Sequence, residues 1–181
     1  MKRKILNDKW TRVSLGLILA VVLLTIAIPA TGEIEGENEY IDTKSQMCLA
    51  KNIYFEARDQ GTASHVAVSL VVLNRVNDPR YPNTICEVIY QGPTYSWKPD
   101  FPVRNKCQFS WYCDGKSDKP KELEAWNEAL KIASLVLSHK SYLLDFTEGS
   151  THYHATHIKP HWADHLTRIA QIEGHIFYRW R

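Results

Sequence analysis

The sequence predicts an α+β domain that is dominated by helices and carries a small antiparallel sheet. Apolar residues recur at helical spacing in three separate stretches, which predicts three main helices. Short runs rich in aromatic and apolar residues at 142–146, 151–155 and 176–180 predict strands near the C-terminus. The chain has 181 residues, 44% of them hydrophobic, which is enough for one domain with a packed core.

The N-terminus has the pattern of an export signal or a membrane anchor. Residues 1–12 are basic, and residues 13–32 contain no charged residue. This apolar run falls between a signal-peptide core and a spanning helix of about 20 residues. Ile28 is a poor match to the small residue expected before cleavage after Ala30, so an uncleaved signal-anchor is favoured over a cleaved signal. Either one places the rest of the chain outside the cytoplasm, anchored in the inner membrane or secreted.

An acidic linker over residues 33–46 is predicted to precede the main folded domain at 47–181, because it has no apolar period. Apolar residues from Met47 onward recur at helical spacing and predict the first helix. Gly61 is a plausible end of that helix, and Ser64 is a candidate cap for the next one.

The second helix is predicted over residues 65–76, a run that is apolar nearly all round and therefore central and buried. Residues 77–79, Asn-Asp-Pro, end it. Thr84 and Glu87 have the spacing of a capping box, which predicts a short helix that ends at Ile89.

The second half of the chain is predicted to start with a loop over residues 91–106, which contains three prolines. Residues 108–113 predict an extended segment that ends at the Asp114-Gly115 turn. Pro120 suits the first position of a long helix that ends near His139.

Glu56 is the candidate catalytic residue. It lies on the flank of the apolar stripe of the first helix, among aromatic neighbours and close to the helix C-terminus. Burial and the negative end of the helix dipole both disfavour its ionised form. A carboxyl group that stays protonated near neutral pH can act as a general acid. The alternatives are a surface glutamate paired with Arg58 or Lys51, or a buried structural hydrogen bond.

Short motifs follow one another between about residue 47 and residue 178. They are Ile53–Arg58, Leu73–Val76, Tyr81–Cys86, Gln108–Ser110, Thr151–Ala155 and Gly174–Tyr178. In this order they resemble the cell wall hydrolases of the SleB/CwlJ type, the spore-cortex-lytic enzyme family. The resemblance implies a lysozyme-like domain that cuts the glycan strands of peptidoglycan between N-acetylmuramic acid and N-acetylglucosamine. It also implies that the glutamate of the Glu-Ala-Arg motif, Glu56, is the catalytic residue.

The family is associated with lytic transglycosylase chemistry, which needs one carboxylate, whereas a conventional glycosidase uses two. Asp59 and Asp114 are the candidates for a second carboxylate. We interpret Asp59 as a solvated charge at the helix end and Asp114 as a turn former.

Seven further residues are predicted to line the substrate cleft. They are Tyr54, Asn74, Gln108, Phe109, Ser110, Tyr153 and His154. Strand alternation would put Gln108 and Ser110 on one side. Asn74 lies in an apolar run and needs a partner, so it orients Glu56, touches substrate or makes a structural hydrogen bond. The alternative for Phe109 is a core residue, and a tyrosine such as Tyr153 is more often core than stacked on a sugar.

The four cysteines, Cys48, Cys86, Cys107 and Cys113, would all face an oxidising compartment and are disulfide candidates. Three pairings are open. The short loop between Cys107 and Cys113 could close, which would leave Cys48 with Cys86. No C-x-x-C pair is present, which disfavours cysteine-bound zinc.

Five histidines between 152 and 165 allow a zinc-dependent peptidoglycan amidase or peptidase as the alternative function. They are His152, His154, His157, His161 and His165. No H-E-x-x-H motif accompanies them, and Pro160 interrupts the run, so no metal and no cofactor are expected. A non-catalytic glycan-binding protein of the envelope is the alternative outside the enzymes.

The expected partners are peptidoglycan and the cytoplasmic membrane. A net charge of +2 gives no strong nucleic-acid footprint. The protein is expected to be a monomer. It is expected to be either a phage endolysin that carries a signal-anchor or a bacterial enzyme that remodels the cell envelope.

Overall fold

The structure, a computed structural model, describes residues 42–181. Its helices are α1 (Thr43–Ala57), α2 (Thr62–Asn77), α3 (Ile85–Ile89) and α4 (Leu123–Ser138), with 3₁₀ segments at Ser110–Cys113 and His161–His165. Its strands are β1 (Thr94–Tyr95), β2 (Lys98–Pro102), β3 (His152–Ala155), β4 (Thr167–Ile172) and β5 (His175–Arg179). The fold is therefore a helix-rich α+β fold with small antiparallel sheets, as predicted.

The predicted signal-anchor at 13–32, the basic segment at 1–12 and the linker up to residue 41 lie outside the described residues. Across residues 42–181, no helix combines the length and the apolar character that crossing a membrane requires.

Helix α1 begins earlier than the sequence predicts, so residues 43–46 of the predicted linker are helical. The cause is an N-cap that the sequence analysis did not use: the Asp42 carboxylate accepts hydrogen bonds from the backbone N–H groups of Lys44 and Ser45, both at 3.1 Å. The helix ends at Ala57.

The roles predicted for Gly61 and Ser64, between α1 and α2, were both wrong. Gly61 is the N-cap of α2 and does not end α1, and Ser64 lies inside α2. The Ser64 hydroxyl lies 2.9 Å from Nδ1 of His175, so it joins the helix to the sheet and does not cap it.

Helix α2 is central and buried, as its apolar run predicts. It packs with α1 and α4 around one core whose fully buried members include Leu49, Ile53, Val68, Val71, Val136 and Phe177. The predicted start of α3 at Thr84 is also confirmed: the Glu87 N–H donates to the Thr84 hydroxyl at 3.4 Å. The Glu87 carboxylate accepts this hydroxyl at 2.6 Å, where a full capping box would have it accept the Thr84 N–H.

Two segments in the middle of the chain differ from their predictions. The loop at 91–106 contains the antiparallel ribbon of β1 and β2. Residues 110–113, predicted as extended, form a 3₁₀ turn, because the disulfide between Cys107 and Cys113 closes this stretch too tightly for a strand.

Two further corrections flank α4. The helix begins at Leu123 and not at Pro120, because the Tyr54 hydroxyl accepts the N–H groups of Lys121 and Glu122 before the first turn. The predicted strand at 142–146 is a series of turns, which Asp145 stabilises by accepting the N–H groups of Thr147 (2.9 Å) and Gly149 (2.7 Å).

The main sheet has the strand order β3-β5-β4 and is antiparallel. Strands β3 and β5 were predicted, whereas β4 was not. Tyr153 pairs with Phe177, and both rings face the core below α1 and α2. Because side chains alternate along a strand, His154 and Tyr178 face the opposite side, where Tyr178 packs in a second, smaller cluster with Trp162.

The turn between β4 and β5 is bound to the turn between α1 and α2. The Gly61 N–H donates to the Glu173 carboxylate at 2.6 Å, and the Gly174 N–H donates to the Gln60 side-chain oxygen at 3.0 Å. A Cβ at Gly174 would lie 2.5 Å from that oxygen, so any larger residue would require the Gln60 side chain to shift. This contact fixes the sheet beside the C-terminal end of α1.

Both disulfides are present in the pairing that the short loop suggested. Cys48 is bonded to Cys86, which ties α1 to α3, and Cys107 is bonded to Cys113. Their Cα separations are 5.4 and 6.1 Å, within the usual range for disulfides.

We predict that the two disulfides contribute unequally to stability, because their sequence separations are 38 and 6 residues. From loop entropy, replacing Cys48 and Cys86 by alanine should lower the free energy of unfolding by about 4 kcal/mol, and replacing Cys107 and Cys113 by about 2 kcal/mol. Urea denaturation of the two double variants measures the difference. Equal losses, or a larger loss at the short loop, would contradict this prediction.

Candidate active site

Glu56 lies in the last turn of α1, beside the sheet. The residue as a whole is only partly exposed, and its carboxyl group is largely enclosed by protein. Burial raises the pKa of this carboxyl from 4.5 to about 7, although the Tyr153 hydroxyl and the Arg75 charge act in the opposite direction. The predicted neutral acid is therefore consistent with the physical surroundings of the group.

Tyr153 reaches Glu56 from the core side of β3. Its hydroxyl is buried and, within residues 42–181, has no partner in good hydrogen-bond geometry. It nevertheless interacts with the Glu56 carboxyl and the Asn52 amide, and burial is the main cause that raises the pKa of Tyr153 well above 10. The contact with Glu56 is thus close without being a well-formed hydrogen bond, as is common in unliganded sites.

Arg75 on α2 is the site residue that the sequence analysis missed. It is 5% exposed, and its Nε–H donates to the Thr151 carbonyl at 2.7 Å. Its guanidinium lies 5.2 Å from the centre of the Tyr81 ring and 5.1 Å from that of Phe109. Burial lowers the pKa of Arg75, but a guanidinium remains charged in a protein.

A signal for Arg75 was present in the sequence: it is the one charged residue in the apolar run 65–76. A cation in a buried helix requires partners, and here two aromatic faces and a backbone carbonyl provide them.

The wall beside Glu56 is formed by α1 and the 3₁₀ segment. Asn52, one turn before Glu56 on α1, accepts a hydrogen bond from the Trp111 indole N–H at 3.2 Å. The rings of Phe55 and Trp111 stack at 4.8 Å with an angle of 20° between their planes. These contacts fix the face of α1 that carries the acid.

A pocket of about 450 Å³ opens next to this wall, and its lining includes Phe55, Arg58, Ser110, Trp111 and Asp118. Phe55 directly precedes Glu56 in the chain. Burial raises the pKa of Asp118. The pocket therefore offers aromatic surface, charges of both signs and a hydroxyl, and Glu56 itself is not among the residues that line it.

Three of the predicted cleft residues belong to the segment that includes the 3₁₀ turn. Gln108 and Ser110 are both exposed, and Ser110 lines the pocket. Phe109 is buried against the Arg75 guanidinium. The structure thus places Phe109 below the site and the two polar residues at the surface.

Two predicted cleft residues have structural partners. The Tyr54 hydroxyl accepts the N–H groups of Lys121 (3.0 Å) and Glu122 (3.2 Å) at the start of α4. The Asn74 amide donates to the Asp145 carboxylate at 3.0 Å and to the Ser150 carbonyl at 3.1 Å. Asn74 therefore holds the turns at 145–150, and these contacts match the structural alternative.

His154 is separated from Glu56 by the sheet. Its Nε2 lies 2.9 Å from the Tyr178 hydroxyl, on the face opposite to Tyr153. His157, His161 and His165 are exposed. Among the residues that the structure describes, no three His, Cys, Asp or Glu side chains are arranged to hold a metal ion.

The two candidate second carboxylates are not among the groups that act on Glu56. Asp59 is exposed, and Asp114 accepts the N–H of Lys116 at 2.8 Å within a turn. The site that the structure assembles thus centres on one carboxyl group, one hydroxyl and one guanidinium.

Comparison with known proteins gives a family match over more than half of the chain. A family model described as Cell Wall Hydrolase matches residues 59–178. The match begins three residues after Glu56 and so does not include it. The spore cortex-lytic enzyme of Bacillus subtilis (strain 168) is 42% identical over 43 residues, which are 24% of this chain and only 14% of that protein.

Two solved structures share the fold. The catalytic domain of the Bacillus cereus SleB protein has a TM-score of 0.55 and 23% identity, covering 82% of this chain and 100% of that one. The catalytic domain of the germination-specific lytic transglycosylase SleB from Bacillus anthracis has a TM-score of 0.56 and 23% identity, covering 78% and 98%.

We predict that the neutral amide in Glu56→Gln stabilises the protein at alkaline pH. An unfolded glutamate ionises near pH 4.5 and the folded one near 7, so the wild type loses stability as pH rises through this window. The variant should match the wild type at pH 4 and exceed it by up to about 3 kcal/mol at pH 8.

Urea denaturation at pH 4 and pH 8 measures this difference, with the exposed Asp59→Asn as the control. A Glu56→Gln variant that gains no stability between the two pH values would show that the acid is not held neutral.

Proposed function

Because this chain belongs to the cell wall hydrolase family, we propose that it cleaves the glycan strands of peptidoglycan with Glu56 as its one catalytic carboxyl group. The bond would be the one between N-acetylmuramic acid and N-acetylglucosamine. The observation that supports this most directly is the enclosure of the Glu56 carboxyl, which raises its pKa to about 7.

The proposed reaction is that of a lytic transglycosylase. The Glu56 carboxyl gives its proton to the glycosidic oxygen as the bond from that oxygen to C1 of the muramic residue breaks. The C6 hydroxyl oxygen of the same sugar then bonds to C1 and closes a 1,6-anhydro ring. Its proton passes to the Glu56 carboxylate, which restores the acid without consuming water.

A pKa of about 7 suits both halves of this reaction, because the group is protonated and ionised to similar extents near neutral pH. The exposure of Asp59 and the turn-forming hydrogen bond of Asp114 also favour it, since a glycosidase that activates water needs a second carboxylate. In this reaction the substrate itself would supply the nucleophile.

The substrate would lie along the pocket beside α1. Phe55 and Trp111 offer apolar ring surface, and the Ser110 hydroxyl offers a polar contact for sugar or N-acetyl oxygens. The exposed Gln108 amide would extend this contact.

Residues 13–32 are proposed to hold the enzyme at the cytoplasmic membrane, with the domain facing the periplasm or cell wall. Their uncharged run and the preceding basic segment support this proposal.

We predict that Glu56→Gln lowers the rate of lysis of isolated sacculi at least about a hundredfold, because the amide cannot transfer a proton. Binding to sacculi should be retained, since size and shape are unchanged. Turbidity loss and a co-sedimentation assay measure the two properties.

Asp59→Asn serves as the matched control and should lyse like the wild type. A chelator should leave lysis intact. Full lysis by Glu56→Gln would refute the assignment, and loss of activity with the chelator would favour the zinc amidase.

For the anchor, we predict that full-length chain expressed in bacteria sediments with membranes and resists extraction by high salt. A chain that lacks residues 1–32 should instead be released with soluble protein. Cell fractionation and immunoblotting test this prediction. It would be contradicted if the full-length chain, with its mass unchanged and therefore uncleaved, were recovered only in the soluble fraction.

A further inference from the structure

Three buried hydrogen-bond donors that interact with Glu56 or with its neighbours have no partner in good hydrogen-bond geometry within residues 42–181. They are the Asn52 amide nitrogen Nδ2, the Arg75 nitrogen Nη1 and the Tyr153 hydroxyl. Leaving a buried donor unpaired costs about 1–3 kcal/mol, and most buried polar groups in proteins are paired. Three such donors around one carboxyl group therefore require an explanation.

Each of the three donors is held in place by contacts on its other side. The Trp111 indole fixes the Asn52 amide through its oxygen, at 3.2 Å. The Thr151 carbonyl fixes the Arg75 guanidinium through Nε, at 2.7 Å. The Tyr153 ring packs 5.6 Å from Phe177, centre to centre. The free donor atoms are thus not the loose ends of mobile side chains.

The electrostatic interactions connect these groups in sequence. The Asn52 amide acts on the Tyr153 hydroxyl in the sense of a donor, because it lowers the pKa of the tyrosine. The Tyr153 hydroxyl acts as a donor to Glu56, because it lowers the pKa of the carboxyl. The Arg75 charge acts on both groups.

Donors of this kind suit an ionised carboxyl group better than a protonated one. A carboxylate accepts through two oxygens, whereas the protonated acid must itself donate and keeps less accepting capacity. Hydrogen bonds to an ionised group are also the stronger ones. These donors therefore match the ionised form of Glu56 better than its protonated form.

We propose that Asn52, Arg75 and Tyr153 form a donor cradle that holds the Glu56 carboxylate in the interval between its two proton transfers. This inference rests on the proposed function. Tyr153 would donate directly to the carboxylate, Asn52 would support the Tyr153 hydroxyl, and Arg75 would supply the balancing charge. All three are positioning residues, since they act through Glu56.

The cradle solves a difficulty that the single-carboxylate reaction creates. Once Glu56 has given up its proton, a buried charge must persist until the C6 hydroxyl returns one. An unsupported carboxylate in this setting would favour the return of the first proton and reversal of the cleavage. Donors that favour the ionised form stabilise this intermediate state more than they stabilise the starting acid.

The test compares Tyr153→Phe, which removes only the hydroxyl, with Tyr178→Phe, which removes a hydroxyl on the opposite face of the sheet. Protein labelled with ¹³C at the glutamate carboxyl carbons is titrated by NMR, with the Glu56 signal assigned from its absence in Glu56→Gln. The pKa of Glu56 should rise by about one pH unit in Tyr153→Phe and stay unchanged in Tyr178→Phe.

The charge of Arg75 is tested with Arg75→Lys and Arg75→Gln. The lysine retains the charge, so the pKa of Glu56 should rise less in this variant than in Arg75→Gln. The pH dependence of sacculus lysis should move in the same direction as each titration. If Arg75→Gln does not fold, the titration of Tyr153→Phe alone tests the cradle. This variant is expected to fold, because the phenylalanine ring retains the contact with Phe177.

The titration separates this inference from the proposed function. An unchanged Glu56 titration in Tyr153→Phe would overturn the cradle, whatever the activity. A raised pKa in Tyr153→Phe together with full lysis by Glu56→Gln would uphold the cradle as an electrostatic feature and reject the catalytic role.

Discussion

The withdrawal of one carboxyl group from water is the constraint on which the site depends. Glu56 lies where α1 ends against the sheet, and its enclosure raises its pKa to about 7. Burial alone would raise it further, but the Tyr153 hydroxyl and the Arg75 charge oppose this effect. The balance produces a group that can both give and take a proton near neutral pH, which is what the proposed reaction demands.

The fold brings this balance about by joining elements that are distant in sequence. Helix α1 carries the acid, α2 carries the guanidinium and β3 carries the hydroxyl. The contacts of Gly61 and Gly174 fix the sheet beside α1. The disulfide from Cys107 to Cys113 encloses Phe109, whose ring lies against the guanidinium. The contacts that stabilise this part of the fold therefore also position the groups that set the pKa of Glu56.

Much of this arrangement could be predicted from the sequence, because local patterns determine it. The apolar run of α2, the Thr84 cap of α3 and the aromatic strands β3 and β5 carry clear periodic or capping signals. Strand β4 and the turns at 142–146 do not, since tertiary contacts decide them. His154 was placed with the cleft because a sequence motif does not show which sheet face a side chain occupies. Arg75 was missed because its partners come from other parts of the chain.

The central claim, that one carboxyl group performs both proton transfers, is tested most directly by digesting sacculi in water enriched in ¹⁸O. Mass spectrometry of the released fragments then reads both the bond and the mechanism. The account predicts muropeptides with 1,6-anhydro ends that are lighter by one water molecule than hydrolysed ends and carry no ¹⁸O. Fragments with ¹⁸O at a reducing end would contradict it, because a water molecule would then have been the nucleophile and a second base would be required.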